Sequence, residues 1–492
     1  MKIAITYSPF SDKKETPLLS QNRQFQWFHH PSYIYPVVPA QAATLLKNAG
    51  YEVFWLDGIA GGWTYDQWLK ELKQANPDLV VLETKTPVVK RHWQIINEIK
   101  KQNRRIKIVL VGDHVTALPQ ESFKNSQVDY VLTGGDYDWL LLNLVNHLSK
   151  KEKLEAGIYY RQGKKIKNTG QFQLNHDLDK LPFVDRKLTK WQLYAYQNGN
   201  YKRTPGTYIM AGRDCWWRKN GGCKFCAWTI LYPKYRVRKP ENVLDEIGEL
   251  IKKYQVKEIM DDTGTFPVGE WLREFCRGMI KRGYHQKIYF DCNLRFGILT
   301  EKDYELMSKA GFRFLLYGLE SANQETIDKL NKGIRVDEIE AELKKAKDAN
   351  DKIGGHLEPH VTCMVGYPRE TKKQAEKTIE MTKNLFAKGL IQTLQATIVI
   401  PYPGTALFEE SRKKGWLKTQ DWNRYDMSQS VMKTSMKDKE VKELTQGLYK
   451  SSLTTRFLIR KIFSIRDFDD FKFLLRSGKY LISHLFDFGE RK

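Results

Sequence analysis

From the first residues to about residue 150, short runs of apolar and β-branched residues alternate with longer stretches of helical periodicity. The short runs predict strands over 3–7, 52–56, 79–83, 106–111 and 130–132. Between them, apolar positions recur at helical spacing over 40–48, 65–74, 89–101 and 137–147. Alternation of this kind predicts a doubly wound, Rossmann-like parallel sheet. Ligands of such sheets bind at the carboxyl ends of the strands. The loops there are Asp57-Gly58-Ile59-Ala60-Gly61-Gly62, Gly112-Asp113-His114 and Thr133-Gly134-Gly135-Asp136. Their glycines suit close backbone approach to a ligand, but turn residues look the same, and for any single loop the turn reading is the better one. His114 reads as a loop residue rather than a metal ligand.

Residues 151–200 read as a connector, with a small hairpin around Gly163 over 158–166. The strand–helix alternation then restarts, with strands expected at 208–211, 258–261, 288–292, 314–318, 359–365 and 396–400. Six βα units make a partial (β/α)6 barrel of TIM type, whose chemistry sits on the loops after the strands. Beyond about 435 the pattern is helical and basic. Leu458, Ile462 and Ile465 share a face beside Arg456 and Arg460, and Phe471, Leu474, Leu475, Leu481 and Leu485 continue an apolar stripe. Such a tail either packs on its own barrel or lies on a membrane surface. In the second case Arg456, Arg460, Lys461 and Arg466 meet anionic headgroups while Phe457 and Phe463 enter the interface. The expected division is therefore 1–150, 151–200, 201–435 and 436–492.

A length of 492 residues suits two or three domains. Lys and Arg number 81 against 58 Asp and Glu, and the net charge of +23 favours nucleic acid, anionic lipid or a phosphorylated ligand as partner. Because the lysines are spread along the chain, a solvated basic surface accounts for the excess equally well. No apolar run approaches the ~18 residues of a membrane-spanning helix, and the first residues read as a strand rather than a secretory signal. The expected location is the cytoplasm, with contact to the inner face of the membrane as the alternative offered by the tail. Six cysteines in so long a chain are no disulfide framework.

Half of those cysteines fall within Cys215-Trp216-Trp217-Arg218-Lys219-Asn220-Gly221-Gly222-Cys223-Lys224-Phe225-Cys226, directly after the first expected barrel strand. Structural zinc wants four ligands. An iron–sulfur cubane held by three thiolates leaves one iron open to a substrate or cofactor. On these residues alone, a redox pair or partial zinc knuckle made by Cys223 and Cys226 competes evenly with the cluster. Cys276, Cys292 and Cys363 lie among apolar residues and read as buried, inert thiols.

The stretch from Cys215 to about Glu409 resembles a radical SAM barrel. Besides the three cysteines, the matching pieces are Asp261-Asp262-Thr263 after the second strand, Arg295 after the third and Gly318-Leu319-Glu320-Ser321 at the fourth. Gly366-Tyr367-Pro368 and Pro401-Tyr402-Pro403-Gly404-Thr405 follow at the fifth and sixth. The resemblance implies a 4Fe-4S cluster on Cys215, Cys223 and Cys226, and S-adenosylmethionine held by Asp262, Arg295, Glu320 and Ser321. A salt bridge to a nearby cation is the plain alternative for Glu320. One departure is the cluster loop, in which seven residues separate Cys215 from Cys223, more than is common in the family. Trp216 and Trp217 read as packing residues, with a cover over the cluster as the alternative.

The first domain resembles the cobalamin-binding domain at the front of many such enzymes. The matching pieces are Pro39 with the helix to Gly50-Tyr51-Glu52-Val53, then Pro77-Asp78-Leu79-Val80, Gly112-Asp113-His114 with Ala117-Leu118-Pro119, and Val128-Asp129-Tyr130-Val131. This implies cobalamin beside Asp57, Ile59, Gly112, His114, Gly134 and Gly135, its tail along the Gly134-Gly135 loop. Ile59 stands where related domains carry a cobalt-ligating histidine, so no lower nitrogen ligand is expected. The implied activity is functionalisation of an unactivated carbon, C-methylation first, with radical cyclisation, rearrangement or RNA modification as alternatives. No cysteine precedes Cys215, which argues against the second cluster of an RNA methylthiotransferase. A non-catalytic iron–sulfur carrier leaves the later loops unexplained. The implied partners are a small-molecule or lipid-linked substrate and an external electron donor such as flavodoxin or ferredoxin; nucleic acid is the weaker expectation.

Overall fold

The computed structural model describes residues 1–10, 16–17, 27–28 and 32–487. The first sheet is built from β1 (Lys2–Tyr7), β2 (Glu52–Asp57), β3 (Leu79–Glu83), β4 (Lys107–Val111) and β5 (Tyr130–Leu132). These strands are parallel in the order β2-β1-β3-β4-β5. All five residues of Leu79–Glu83 are buried, as a central strand covered on both faces requires. The strand order reverses direction between β1 and β3, which opens a crevice at their carboxyl ends. The hairpin expected in the connector forms as β6 (Ile158–Gln162) and β7 (Lys165–Asn168). It does not stand apart: β6 pairs antiparallel with β5 and extends the first sheet to seven strands.

Helices cover both faces. Tyr65–Ala75 starts at a capping box made by Thr64 and Gln67 and ends at Asn76, whose φ of 42° stops the helix. Val89–Gln102 buries Trp93, Ile95, Ile96 and Ile99 on one face.

The second sheet is a curled half-barrel whose six strands pair in chain order, all parallel: β8 (Gly206–Ile209), β9 (Glu258–Asp261), β10 (Tyr289–Leu294), β11 (Phe312–Glu320), β12 (Glu358–Val365) and β13 (Thr393–Ile398). Strand β11 runs nine residues, and β13 starts at Thr393, ahead of the expected 396. A ladder extends as far as its neighbours pair, including polar positions that an apolar pattern leaves out. The amino-terminal end of the half-barrel holds a buried charge cluster. Arg313 there reaches Glu258 at 2.6 Å, Asp291 at 3.1 Å and Glu358 at 2.8 Å.

The carboxyl ends of the two sheets face one another. Arg213, two residues before the first cluster cysteine, pairs with Asp136 at 2.7 Å and Asp138 at 2.5 Å, and donates to Gln41 at 3.0 Å. The Tyr232 hydroxyl donates to the Gly135 carbonyl at 3.1 Å, and Lys90 pairs with Asp421 at 2.7 Å.

The C-terminal helices are Asp438–Lys450, Thr455–Phe463 and Phe468–Asp487. Phe457 does not face outward: it is buried, its ring 4.9 Å from that of Phe386. Arg460 likewise turns inward and donates to the carbonyls of Phe386 at 3.2 Å and Ala387 at 2.9 Å, while Arg466 reaches His356 at 3.0 Å. Orphan helix-end carbonyls draw Arg460 back onto the barrel. Leu458, Ile459, Ile462 and Phe463 stay exposed, Phe463 at 84%. Among the described residues no helix is long and apolar enough to cross a membrane.

Candidate functional site

At the carboxyl ends of β8–β13 lies a cavity of about 300 Å³ lined by Cys215, Cys223 and Cys226. Local geometry explains how seven intervening residues still bring the thiols together. Asp214 takes a positive φ of 80°, and its carboxylate is gripped by Arg218 at 2.6 and 2.7 Å. One 3-10 turn over Trp216–Asn220 then meets Gly221 and Gly222, with φ of 84° and 74°, which reverse the chain. The Asn331 amide fastens this reversal through the carbonyls of Asn220 at 2.7 Å and Gly222 at 2.9 Å.

Cys215 Sγ is 2.8 Å from Thr265 Oγ1, and Arg295 Nη1 is 3.6 Å from Cys223 Sγ. Burial first, then neighbouring Cys223, pushes the Cys226 thiol up to about 12. Among the described residues no three His, Cys, Asp or Glu groups stand close enough for a single metal ion. The three cysteines all line the one cavity. Cys276, Cys292 and Cys363 are buried.

Asp262, Arg295 and Glu320 line the same cavity. Arg295 lies over Trp217 at 4.6 Å and Trp216 at 5.5 Å, so both rings pack against a cation as well as flanking the cysteines. Glu320 pairs with Lys332 at 2.8 Å and has a positive φ of 66°, a left-handed backbone that side chains rarely take. The salt bridge and the cavity position thus hold together. Ser321 is not brought to the cavity: its hydroxyl is 3.1 Å from Glu370 Oε1, on the buried side of the loop. Lys332, Thr362 and Gln395 join the wall without having been singled out. A signal was present for Gln395, since Thr393, Gln395 and Thr397 repeat polar residues at the strand period and so share the inner face of β13. Lys332 follows a helix end and carried no such signal.

The expected cobalamin positions are not gathered around one open space. Asp57 and Ile59 line a hollow of only about 20 Å³, closed by Tyr194, whose hydroxyl donates to Asp57. Burial pushes the Asp57 carboxyl up to about 6. Gly112 approaches the backbone of Thr84 so closely that a Cβ would sit 2.3 Å from its carbonyl oxygen. His114 is buried, bonded to Thr86 at 3.1 Å and Glu121 at 3.0 Å, and so is a packed residue. The rings of Phe172 and Tyr232 roof Gly134 and Gly135, where a Cβ would meet them at 2.4 and 1.9 Å. That loop docks on the barrel rather than opening to a ligand. Around the crevice of the first sheet, however, Ser8 Oγ, Glu83 Oε1 and Tyr137 OH are buried without a hydrogen-bond partner among the described residues, Glu83 Oε1 having only Lys85 Nζ at 3.7 Å. Orphaned groups there fit a ligand rich in amides.

Residues 212–382 match the Radical SAM superfamily, and residues 31–138 match the B12 binding domain. The chain is a radical SAM enzyme with a B12-binding domain. An uncharacterised methyltransferase of Pyrococcus horikoshii is 26% identical to it over 88% of this chain and 91% of the relative. An anaerobic magnesium-protoporphyrin IX monomethyl ester cyclase of Cereibacter sphaeroides is 26% identical over 83% of this chain and 64% of the relative. In fold, this radical SAM chain is similar to the cobalamin-dependent radical enzyme OxsB, solved with aqua-cobalamin and S-adenosylmethionine, at a TM-score of 0.67 and 15% identity, over 98% of this chain and 71% of that one. Its cofactors are a 4Fe-4S cluster, S-adenosylmethionine and cobalamin.

Proposed function

We propose that this enzyme methylates an unactivated carbon of its substrate. The supporting observation is one cavity that is lined by the three cysteines and borders the first sheet. Its lining also includes Tyr402 and Met427, which pack into the apolar core of the first sheet. When bound, the cluster and S-adenosylmethionine supply hydrogen abstraction and cobalamin supplies a transferable methyl group. In this reading Cys215, Cys223 and Cys226 hold the cluster. The guanidinium of Arg295 beside Cys223 places positive charge against its thiolates. Asp262 and the Glu320–Lys332 pair offer an acceptor and a fixed dipole to the amino, carboxylate and ribose groups of S-adenosylmethionine. Ser8, Glu83 and Tyr137 would hold the amides of cobalamin, and the aliphatic Ile59 would offer no ligand to its metal.

Anaerobically reconstituted protein given cobalamin, S-adenosylmethionine and a low-potential donor such as flavodoxin or ferredoxin is expected to form both S-adenosylhomocysteine and 5′-deoxyadenosine. Absence of cobalamin binding after reconstitution would overturn the reading. Cyclisation would use the same cavity but form no S-adenosylhomocysteine. Peripheral contact with a membrane belongs to the proposal through the exposed Ile459, Ile462 and Phe463. Co-sedimentation with anionic vesicles tests it, and loss of binding on Phe463→Ser is the expected result.

A further inference from the structure

A second cavity, of about 280 Å³, lies at the amino-terminal end of the half-barrel, between the strands and the C-terminal helices. Its position relative to the cluster follows from strand periodicity. The inner face of β13 carries Thr393 in the lower cavity, Gln395 in both cavities and Thr397 in the upper one. On β11 the same succession runs from Phe314 below to Leu316 and Gly318 above, and on β12 from His360 below to Thr362 and Met364 above. The two hollows thus meet at Gln395, the residue they share, and the lower one also reaches round the edge strand to Leu394.

The lower cavity is chiefly apolar. Phe386, Leu394, Phe457, Phe473, Leu474 and Leu481 supply much of its surface. Leu458 also lines it and is 47% exposed, so its apolar wall is continuous with the exposed face that bears Ile462 and Phe463. Three lysine or arginine side chains reach it. Lys202 is neutralised by Glu358 at 2.8 Å and Asp470 at 3.3 Å, and Arg313 by the acidic cluster described above. Lys461 makes no ion pair or hydrogen bond among the described residues, and burial lowers its ammonium pKa. Its ammonium lies 5.6 Å over the Phe457 ring, and the carboxylates that act on it, Glu358 and Asp470, are already paired with Lys202 and Arg313, so the half-buried Lys461 has no anion of its own.

We infer that the lower cavity binds the apolar chain of a long-chain anionic amphiphile, with Lys461 holding the anionic end and the chain running along the barrel interior toward Gln395. This names the substrate class of the proposed reaction and rests on that reading only for the chemistry at the cluster. The exposed apolar face is the entrance, since Leu458 belongs both to it and to the cavity wall.

The test is a fluorescence titration of the reconstituted full-length protein with cis-parinaric acid and, in parallel, with its uncharged methyl ester. Saturable binding of the acid is expected. Leu394→Trp and Leu474→Trp, which fill the cavity, should each weaken it by roughly tenfold or more while leaving S-adenosylmethionine affinity unchanged. Lys461→Met should weaken the acid by roughly tenfold and leave the ester unaffected. Should the tryptophan variants not fold, the comparison of acid with ester in Lys461→Met decides alone. No saturable binding, equal binding by the filled variants, or equal loss of acid and ester in Lys461→Met would each overturn the inference. A protein that binds cobalamin and S-adenosylmethionine but not the probe overturns only this inference. One that binds the probe but no cobalamin overturns only the proposed function.

Discussion

Arg213 and Asp138 form an ion pair of 2.5 Å in which both side chains are buried, and it joins the loop entering the cluster to the first sheet. Asp136 shares the same guanidinium at 2.7 Å and also binds Arg236 at 2.6 Å. Burial raises the Asp136 carboxyl, but Arg213, His176 and Arg236 outweigh it and hold the group below its ordinary range. Removing one partner of a buried pair leaves an uncompensated charge and costs about 3–5 kcal/mol. Arg213→Met should therefore lower the urea midpoint and separate the unfolding of the two sheets into two transitions. A variant that unfolds as the wild type does would show that the pair does not hold the sheets together.

Replacing Cys215, Cys223 and Cys226 together by alanine should reduce bound iron and sulfide to background and abolish 5′-deoxyadenosine formation. Asn331 and Arg218 hold the loop through its backbone and Asp214, so the fold should survive. Circular dichroism checks that survival, and retention of the wild-type cluster spectrum would refute the ligand assignment.

Glu320→Gln keeps the shape of the site but removes the charge that faces Lys332 at 2.8 Å. A hydrogen bond to a charged group is worth about 1.5–3 kcal/mol, so S-adenosylmethionine affinity should fall by roughly 10–100-fold on calorimetry of cluster-loaded protein. Iron content should not change. Unaltered affinity would leave Glu320 as a structural partner of Lys332 alone.

Glu370 accepts from Ser321, and burial pushes its carboxyl up to about 7 from an ordinary 4.5. Between those values the folded protein keeps a proton that the unfolded chain releases. Stability from this group is therefore greatest at the acid end, falls as pH rises through the window and is level above about 7. The fall is on the order of 3 kcal/mol, from about 1.4 kcal/mol per pH unit. Glu370→Gln should flatten that part of the unfolding profile. An unchanged pH slope would show that the carboxyl titrates normally.

The nitrogen beneath cobalt is a further check. With Ile59 in the candidate ligand position, electron paramagnetic resonance of the cob(II)alamin form should show no lower nitrogen splitting. Clear splitting would reject this, and His114 would not be its source, because Thr86 and Glu121 already hold its ring.

Two alternations of strand and helix and the place of the three cysteines after the first barrel strand were determined by the sequence itself. These features are local: periodicity tells which face of an element is covered, and Gly221-Gly222 tells where a chain can reverse. Which atoms meet across the molecule depends on pairings between residues far apart in the chain, and only the tertiary structure decided those. Ser321 turned to Glu370 and away from the cavity, while Lys332, twelve residues on, swung in to pair with Glu320. Gly134 and Gly135 look like a ligand cradle in isolation, yet Phe172 and Tyr232 stand on them because that loop carries the contact between the sheets. Phe457 has the spacing of a membrane-facing residue but lies on Phe386, since an apolar face takes whichever apolar surface the fold brings against it.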